Sequence, residues 1–322
     1  MDRRRFVAVV GSALVAPQAF AQKPGKVYRI GFPVIPPHKA VEHLIVALED
    51  GLRDLGYVPG KDIIVEYRSA DGKMERFPEM VQEVVRSKPD VIVTGVNAST
   101  TLVKAATQNT PIVMAAGTDV IGAGYAKSLA RPGGNITGIT WDVGGGTVIK
   151  RLELLKEISP RISRVVVLWE SVYKQQYQTI MDNAAPALGL RTFWHEFSGD
   201  VERDFTEMTR LRADAIFVAS SGAIFTRRAE ITALAIKNRL PTAFSVSEFV
   251  ASGGLMSYGP NFAGAYRAAA RYVDKILKGA KPGDLPIEQP TVIDLTINLK
   301  TAKALGLEIP QSVLLRAERV IE

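Results

Sequence analysis

Short apolar, β-branched runs alternate with helix-period segments along most of this 322-residue chain, and half-way through the alternation starts again. A strand that is buried on both faces reads as an unbroken apolar run, and helices must then cover those faces. The pattern therefore predicts α/β structure built from βαβ units on parallel sheets. Strands are expected over 27–32, 63–67, 91–95, 112–115 and 136–140, with helices over 41–55, 77–87 and 100–108 between them. The second round has a helix over 147–158, strands over 165–169, 192–197, 215–219, 242–245 and 255–258, and helices over 175–188, 201–212 and 224–239. A long amphipathic helix follows, with Phe262, Tyr266, Ala269 or Ala270, Val273 and Leu277 on one side, and then a strand over 291–297.

The two rounds echo each other in detail. Leu55-Gly56-Tyr57 ends a helix before a strand, and Leu188-Gly189-Leu190 does so 133 residues later. Pro89-Asp90-Val91 matches Ala213-Asp214-Ala215 at an offset of 124, and Thr110-Pro111-Ile112 matches Leu240-Pro241-Thr242 at 130. Such agreement predicts two similar Rossmann-like lobes with parallel sheets. Lobe one is expected over 25–141, completed by 260–290, and lobe two over 142–259, with 291–322 packing at the hinge. Several strands would then join the lobes, an arrangement suited to closure about a cleft.

Residues 1–21 read as an export signal. Arg3, Arg4 and Arg5 precede an uncharged run from Phe6 to Ala16, and Ala19-Phe20-Ala21 offers a small-x-small cleavage site. The run is too short for a bilayer, which takes roughly 20 residues. The paired arginines before Phe6 and Val7 resemble a twin-arginine signal. The expected product is a soluble periplasmic protein starting near Gln22. The signal accounts for a net +2 of the chain's +7, and the charges that remain are interspersed rather than gathered into the patch or arm of a nucleic-acid binder. Cysteine is absent, which excludes disulfides, thiolate metal sites and a lipid-modified anchor.

Open parallel sheets bind ligands beyond the carboxyl ends of their strands. Those ends offer Phe32, Asn97, Ser99, Thr100, Gly117, Asp119 and Trp141 in lobe one, and Trp169, Glu170, Tyr173, Ser220, Ser221, Ser245 and Glu248 in lobe two. Hydroxyls, an amide and glycines beside helix starts suit a carboxylate, since backbone N–H groups are free there. The Ser99-Thr100 pair is the strongest single candidate, although an ordinary helix cap uses the same residues. Phe32, Trp141, Trp169 and Tyr173 would wall a flat or aromatic ligand. Asp119, Glu170 and Glu248 would pair with a cationic group such as an amino acid's ammonium.

Catalytic signatures are missing. Pro33-Val34-Ile35-Pro36-Pro37 stands where a dinucleotide glycine fingerprint would be, and Gly144-Gly145-Gly146 lacks the Lys-Ser/Thr of a phosphate loop. There is no nucleophile elbow and no H-E-x-x-H. His38 and His43 lie five apart, off a common helix face. The expectation is no catalytic centre, no metal and no cofactor.

Three segments resemble a known family. Arg131-Pro132-Gly133-Gly134-Asn135-Ile136-Thr137-Gly138 is similar to the R-P-G-G-N-x-T-G segment of ABC-transporter substrate-binding proteins related to tryptophan/tyrosine uptake. Gly253-Gly254-Leu255-Met256-Ser257-Tyr258-Gly259 resembles that family's G-G-L-x-S-Y-G, and the tail from Leu285 to Leu307 resembles its counterpart. Asp119-Val120 and Glu170-Ser171 stand where family members often show Asp-Pro and Asn-Pro. The resemblance implies a type I periplasmic binding protein, monomeric, that delivers an amino acid or aromatic acid to an ABC permease with its cytoplasmic ATPase. A periplasmic sensor module is the alternative, and an exported α/β hydrolase a further one.

Overall fold

The computed structural model describes residues 26–141, 145–170, 174–219, 221–290 and 292–322. The leader 1–21, Tyr173 and Ser220 lie outside the described residues.

The chain begins with β1 (Tyr28–Val34), α1 (His38–Asp54), β2 (Ile63–Ser69), α2 (Phe77–Arg86), β3 (Val91–Thr94), α3 (Asn97–Ala106), β4 (Ile112–Gly117) and β5 (Ile136–Thr140). These strands form one parallel sheet in the order β2-β1-β3-β4-β5. Alternate residues of β3 explain the layers: Val91 and Val93 meet α1 on one face, while Ile92 meets α2 and α3 on the other.

The second lobe follows with α4 (Gly145–Ile158), β6 (Arg164–Trp169), α5 (Lys174–Ala184), β7 (Arg191–Glu196), α6 (Val201–Arg210), β8 (Ala215–Val218), α7 (Gly222–Thr226), α8 (Arg228–Lys237), β9 (Thr242–Phe244), α9 (Ser247–Ala251) and β10 (Met256–Pro260). The chain then recrosses into α10 (Phe262–Leu277), which packs on α1 in the core of lobe one. Gly51 permits this close approach, since a Cβ there would overlap the Arg267 carbonyl and lie 2.8 Å from Ala270 Cβ. Residues 285–288 run beside β5, with Thr140 N donating to Glu288 O at 2.9 Å and Glu288 N to Gly138 O at 3.0 Å.

β11 (Ile293–Asn298), α11 (Leu299–Leu305), α12 (Gln311–Leu314) and β12 (Arg319–Ile321) complete the fold. This tail does more than pack at the hinge. β11 pairs antiparallel with β10 and extends lobe two's sheet to the order β12-β11-β10-β9-β8-β6-β7. The chain thus passes between lobes three times: after Trp141, at Pro260-Asn261, and after Glu288.

The sequence echoes are structural equivalents. Asp90 Oδ2 accepts the Arg29 backbone N–H at 2.8 Å at the foot of β1, and Asp214 Oδ2 accepts Ser163 N and Arg164 N at 2.8 and 2.9 Å at the foot of β6. Gly56 and Gly189 both hold positive φ, 92° and 67°, where a helix hands over to a strand. One expected helix is two: the segment from Ile224 breaks at Arg227 (φ −98°, ψ 11°). Ile224 and Phe225 are buried before the break, and Ile231, Thr232 and Ala235 after it.

Candidate functional site

The helices that carry the described contacts between lobes, α1, α7, α9 and α10, start just beyond the carboxyl ends of strands. In lobe one, Asn97 stitches two of these ends together: its Nδ2 donates to Thr118 O at 2.7 Å and its Oδ1 accepts Thr118 N at 2.8 Å. Gly117 O accepts the Thr140 hydroxyl at 2.9 Å and the Trp141 backbone N–H, so β4 and β5 end as one ledge. Ser99 and Thr100 serve this ledge from behind. Ser99 Oγ donates to Val96 O at 2.8 Å, Thr100 Oγ1 lies 2.7 Å from Thr94 Oγ1, and both residues are buried. Asp119 holds a left-handed φ of 44° and its Oδ1 accepts Gly122 N at 3.1 Å, which turns that carboxylate onto its own loop. Phe32 is fully buried behind Tyr67 and Tyr266.

In lobe two, Trp169 is buried on the α4–α5 side of the sheet against Trp194, at a ring separation of 6.2 Å. Glu170 follows it, half-buried. Ser221 caps α7 by accepting Ile224 N at 3.2 Å. Ser245 is buried where β10 passes, and a Cβ on Gly259 would overlap its carbonyl. Arg151 of α4 is also buried; it donates to Tyr258 O at 3.2 Å and stacks 4.7 Å over Phe217, on the sheet face away from Phe225.

Among the described residues, the lobes meet through an aromatic cluster and the polar pair of His43 and Glu248. Phe262, at the start of α10, lies 5.1 Å from Trp141, 6.1 Å from Phe225 of lobe two and 5.4 Å from Tyr266. The Tyr266 hydroxyl sits over Gly95 at the end of β3, so closely that a Cβ at Gly95 would overlap it. Across the cleft, Glu248 of α9 reaches His43 of α1, with Oε1 at 3.1 Å from Nε2. Its other oxygen, Oε2, is buried and has no hydrogen-bond partner among the described residues. Two groups register this carboxylate. Burial raises the Tyr266 phenol's pKa and the Glu248 charge raises it further. Burial lowers that of the Arg228 guanidinium, against which Glu248 works in the opposite direction.

The structure therefore brings Asn97, Gly117 and Trp141 to one rim and Ser221 and Glu248 to the other, while Phe32, Thr100 and Trp169 lie behind the rims as packing. Phe225, Arg228, Phe262 and Tyr266 are not among the site residues expected from the strand ends, and His43 stands there only as a metal-ligand candidate. Phe262 and Tyr266 were hidden in an apolar stripe. Arg228 was hidden because the expected unbroken helix placed it mid-helix. It occupies the first position of α8, where the helix dipole disfavours a cation.

A family model described as ABC transporter substrate binding protein matches residues 29–321, the whole of this two-lobed unit. The chain belongs to that family. The tyrosine-binding protein of Clostridioides difficile (strain R20291) is 26% identical over 288 residues, covering 87% of this chain and 81% of that protein. An ABC domain from Streptococcus pneumonia solved in complex with L-Trp superposes with a TM-score of 0.82 at 26% identity, covering 92% of this chain and 100% of that one. A conserved domain protein from Vibrio cholerae gives 0.83 at 27% identity with the same coverage. The architecture is the type I periplasmic binding protein fold, and the family is one of substrate-binding proteins. Among the described residues, no helix is long and apolar enough to cross a membrane.

Proposed function

We propose that this substrate-binding protein captures an aromatic amino acid between its lobes and presents the closed form to an ABC permease driven by a cytoplasmic ATPase. The observation that carries the reading is the cluster of Trp141, Phe225, Phe262 and Tyr266 where the lobes meet, beside a carboxylate with one buried oxygen. Rings of this kind offer faces and edges to an aromatic guest, worth about 0.5–1.5 kcal/mol per pair beyond area burial. The L-Trp complex and the tyrosine-binding relative support the same ligand class. Ligand binds both rims at once only when the lobes close, so its affinity for the closed state exceeds that for the open one and shifts the population. The three chain crossings provide the hinge. Export through the leader places the protein in the periplasm as a freely diffusing monomer.

A thermal-shift and calorimetry screen of L-Trp, L-Tyr, L-Phe and non-aromatic amino acids tests the reading. Ligand at 100 times its dissociation constant adds about 2.7 kcal/mol of stability. No response to any aromatic amino acid would refute it. Co-purification of a permease with crosslinked closed protein, and its absence with the open protein, tests the partner.

A further inference from the structure

Three acids stand at the strand ends, and the structure separates them. Asp119 is turned onto its own loop through Gly122 N. Glu170 lies half-buried directly after Trp169, beyond the end of β6. Glu248 is different: its side chain is 13% exposed, one oxygen meets His43, and the other is buried without a partner among the described residues. A buried carboxylate oxygen left unpaired is costly, and a cationic donor is what removes the cost.

The second observation is Arg228. Its Nη1 donates to Phe225 O at 3.1 Å and its guanidinium stacks 4.5 Å over the Phe225 ring. A guanidinium carries five N–H donors, and among the described residues no carboxylate takes the rest. Arg228 stacks on Phe225, whose ring lies 5.9 Å from that of Phe249, the neighbour of Glu248, yet among the described residues Arg228 and Glu248 form no ion pair. An acid and a base of one lobe are thus held apart beside the same aromatic wall.

We infer that Glu248 and Arg228 are the head-group clamp of the cleft, Glu248 receiving the ammonium and Arg228 the carboxylate of an α-amino acid. The inference rests on the reading that the cleft is the solute site, and it narrows the class. A free aromatic acid would meet Arg228 but leave the Glu248 oxygen unpaired and add a second negative charge near it. An amine without a carboxylate would satisfy Glu248 alone. A molecule that carries both an ammonium and a carboxylate answers both groups, as an α-amino acid does, and its side chain then projects toward Phe225 and Phe262. His43 acts as a positioning residue that holds the carboxylate from the opposite lobe.

The test is isothermal titration of the mature chain with L-tyrosine, tyramine and 3-(4-hydroxyphenyl)propionate. The wild type is expected to bind the amino acid roughly 100-fold more tightly than either analogue, as loss of a charge-assisted pair dictates. Glu248→Gln should erase the preference for L-tyrosine over the propionate, and Arg228→Gln the preference over tyramine. Wild-type protein that binds the propionate as tightly as L-tyrosine overturns the clamp, as does Glu248→Gln with its discrimination intact. The wild-type analogue series needs no variant, so a poorly folding variant leaves the test in place. If the wild type ignores aromatic compounds but prefers L-leucine to 4-methylpentanoate, the aromatic reading falls and the clamp stands. A best ligand without an amine, or no binding of any amino acid, overturns the clamp.

Discussion

Replacing Gly95 by alanine adds one methyl group at the end of β3, directly under the Tyr266 hydroxyl. The backbone there is not left-handed, so alanine meets no conformational penalty and the effect is steric alone. The new Cβ would overlap Tyr266 Oη, while the ring carbon Cζ would lie 3.3 Å away, tight but close to ordinary contact. Overpacking of this kind costs about 1–3 kcal/mol, partly offset by about 0.4–1 kcal/mol from a less flexible unfolded chain. The expected net loss is about 1–2 kcal/mol, a fall in melting temperature of about 2–4 °C per kcal/mol for a domain of this size. Tyr266→Phe removes the overlapping atom, and the hydroxyl makes no hydrogen bond among the described residues, so that change alone should cost little. The double variant should then recover most of the loss, giving a coupling of about 1 kcal/mol in a urea-unfolding cycle. Ligand affinity provides the second readout. Gly95→Ala displaces Tyr266 toward Phe262 and should weaken binding, and Tyr266→Phe should restore it. Additive stability changes, or a Gly95→Ala protein with full stability and affinity, would refute the placement of Tyr266 over β3.

Two further substitutions probe the frame that holds the site. Gly51→Ala pushes a methyl into the Arg267 carbonyl and Ala270 across the α1–α10 contact, so the melting temperature should fall although alanine is the better helix former by about 1 kcal/mol; a rise would show that the two helices separate freely. At Asp214, burial raises the carboxyl's pKa, but hydrogen bonds from the Ser163 and Arg164 backbones and the Ser163 hydroxyl outweigh it and leave it lowered. A lowered folded pKa contributes stability in full above the unfolded value of about 3.9 and loses it as pH falls toward the folded one. Asp214→Asn should therefore be less stable than the wild type at pH 6, with the difference shrinking below about pH 4; a difference that grows on acidification would contradict this role.

The alternation of apolar runs and helix stripes was legible because parallel strands buried on both faces leave no polar gaps, as in Val91–Thr94 and Ala215–Val218. The twofold plan was legible in Asp90 and Asp214, since each caps the foot of its lobe's first strand with the same carboxylate geometry. Short elements escaped. α9 spans five residues and β12 three, too few for a period to register. The break at Arg227 escaped because the apolar positions on its two sides, Ile224, Phe225, Ile231, Thr232 and Ala235, keep the spacing of a single helix face.

Local chemistry in the chain determined that two strand-and-helix lobes would form and that their strand ends would carry small polar groups, aromatics and three acids. It could not rank those acids, because a carboxylate's role depends on which donors reach it. His43 and Glu248 are 205 residues apart, and Tyr57 and Asp274, bonded at 3.0 Å in the lobe-one core, are separated by 217. Only the folding of lobe two onto the α1–α10 face of lobe one placed Tyr266 and His43 near Glu248. Periodicity says which face of a helix is buried, whereas the tertiary structure decides what it is buried against.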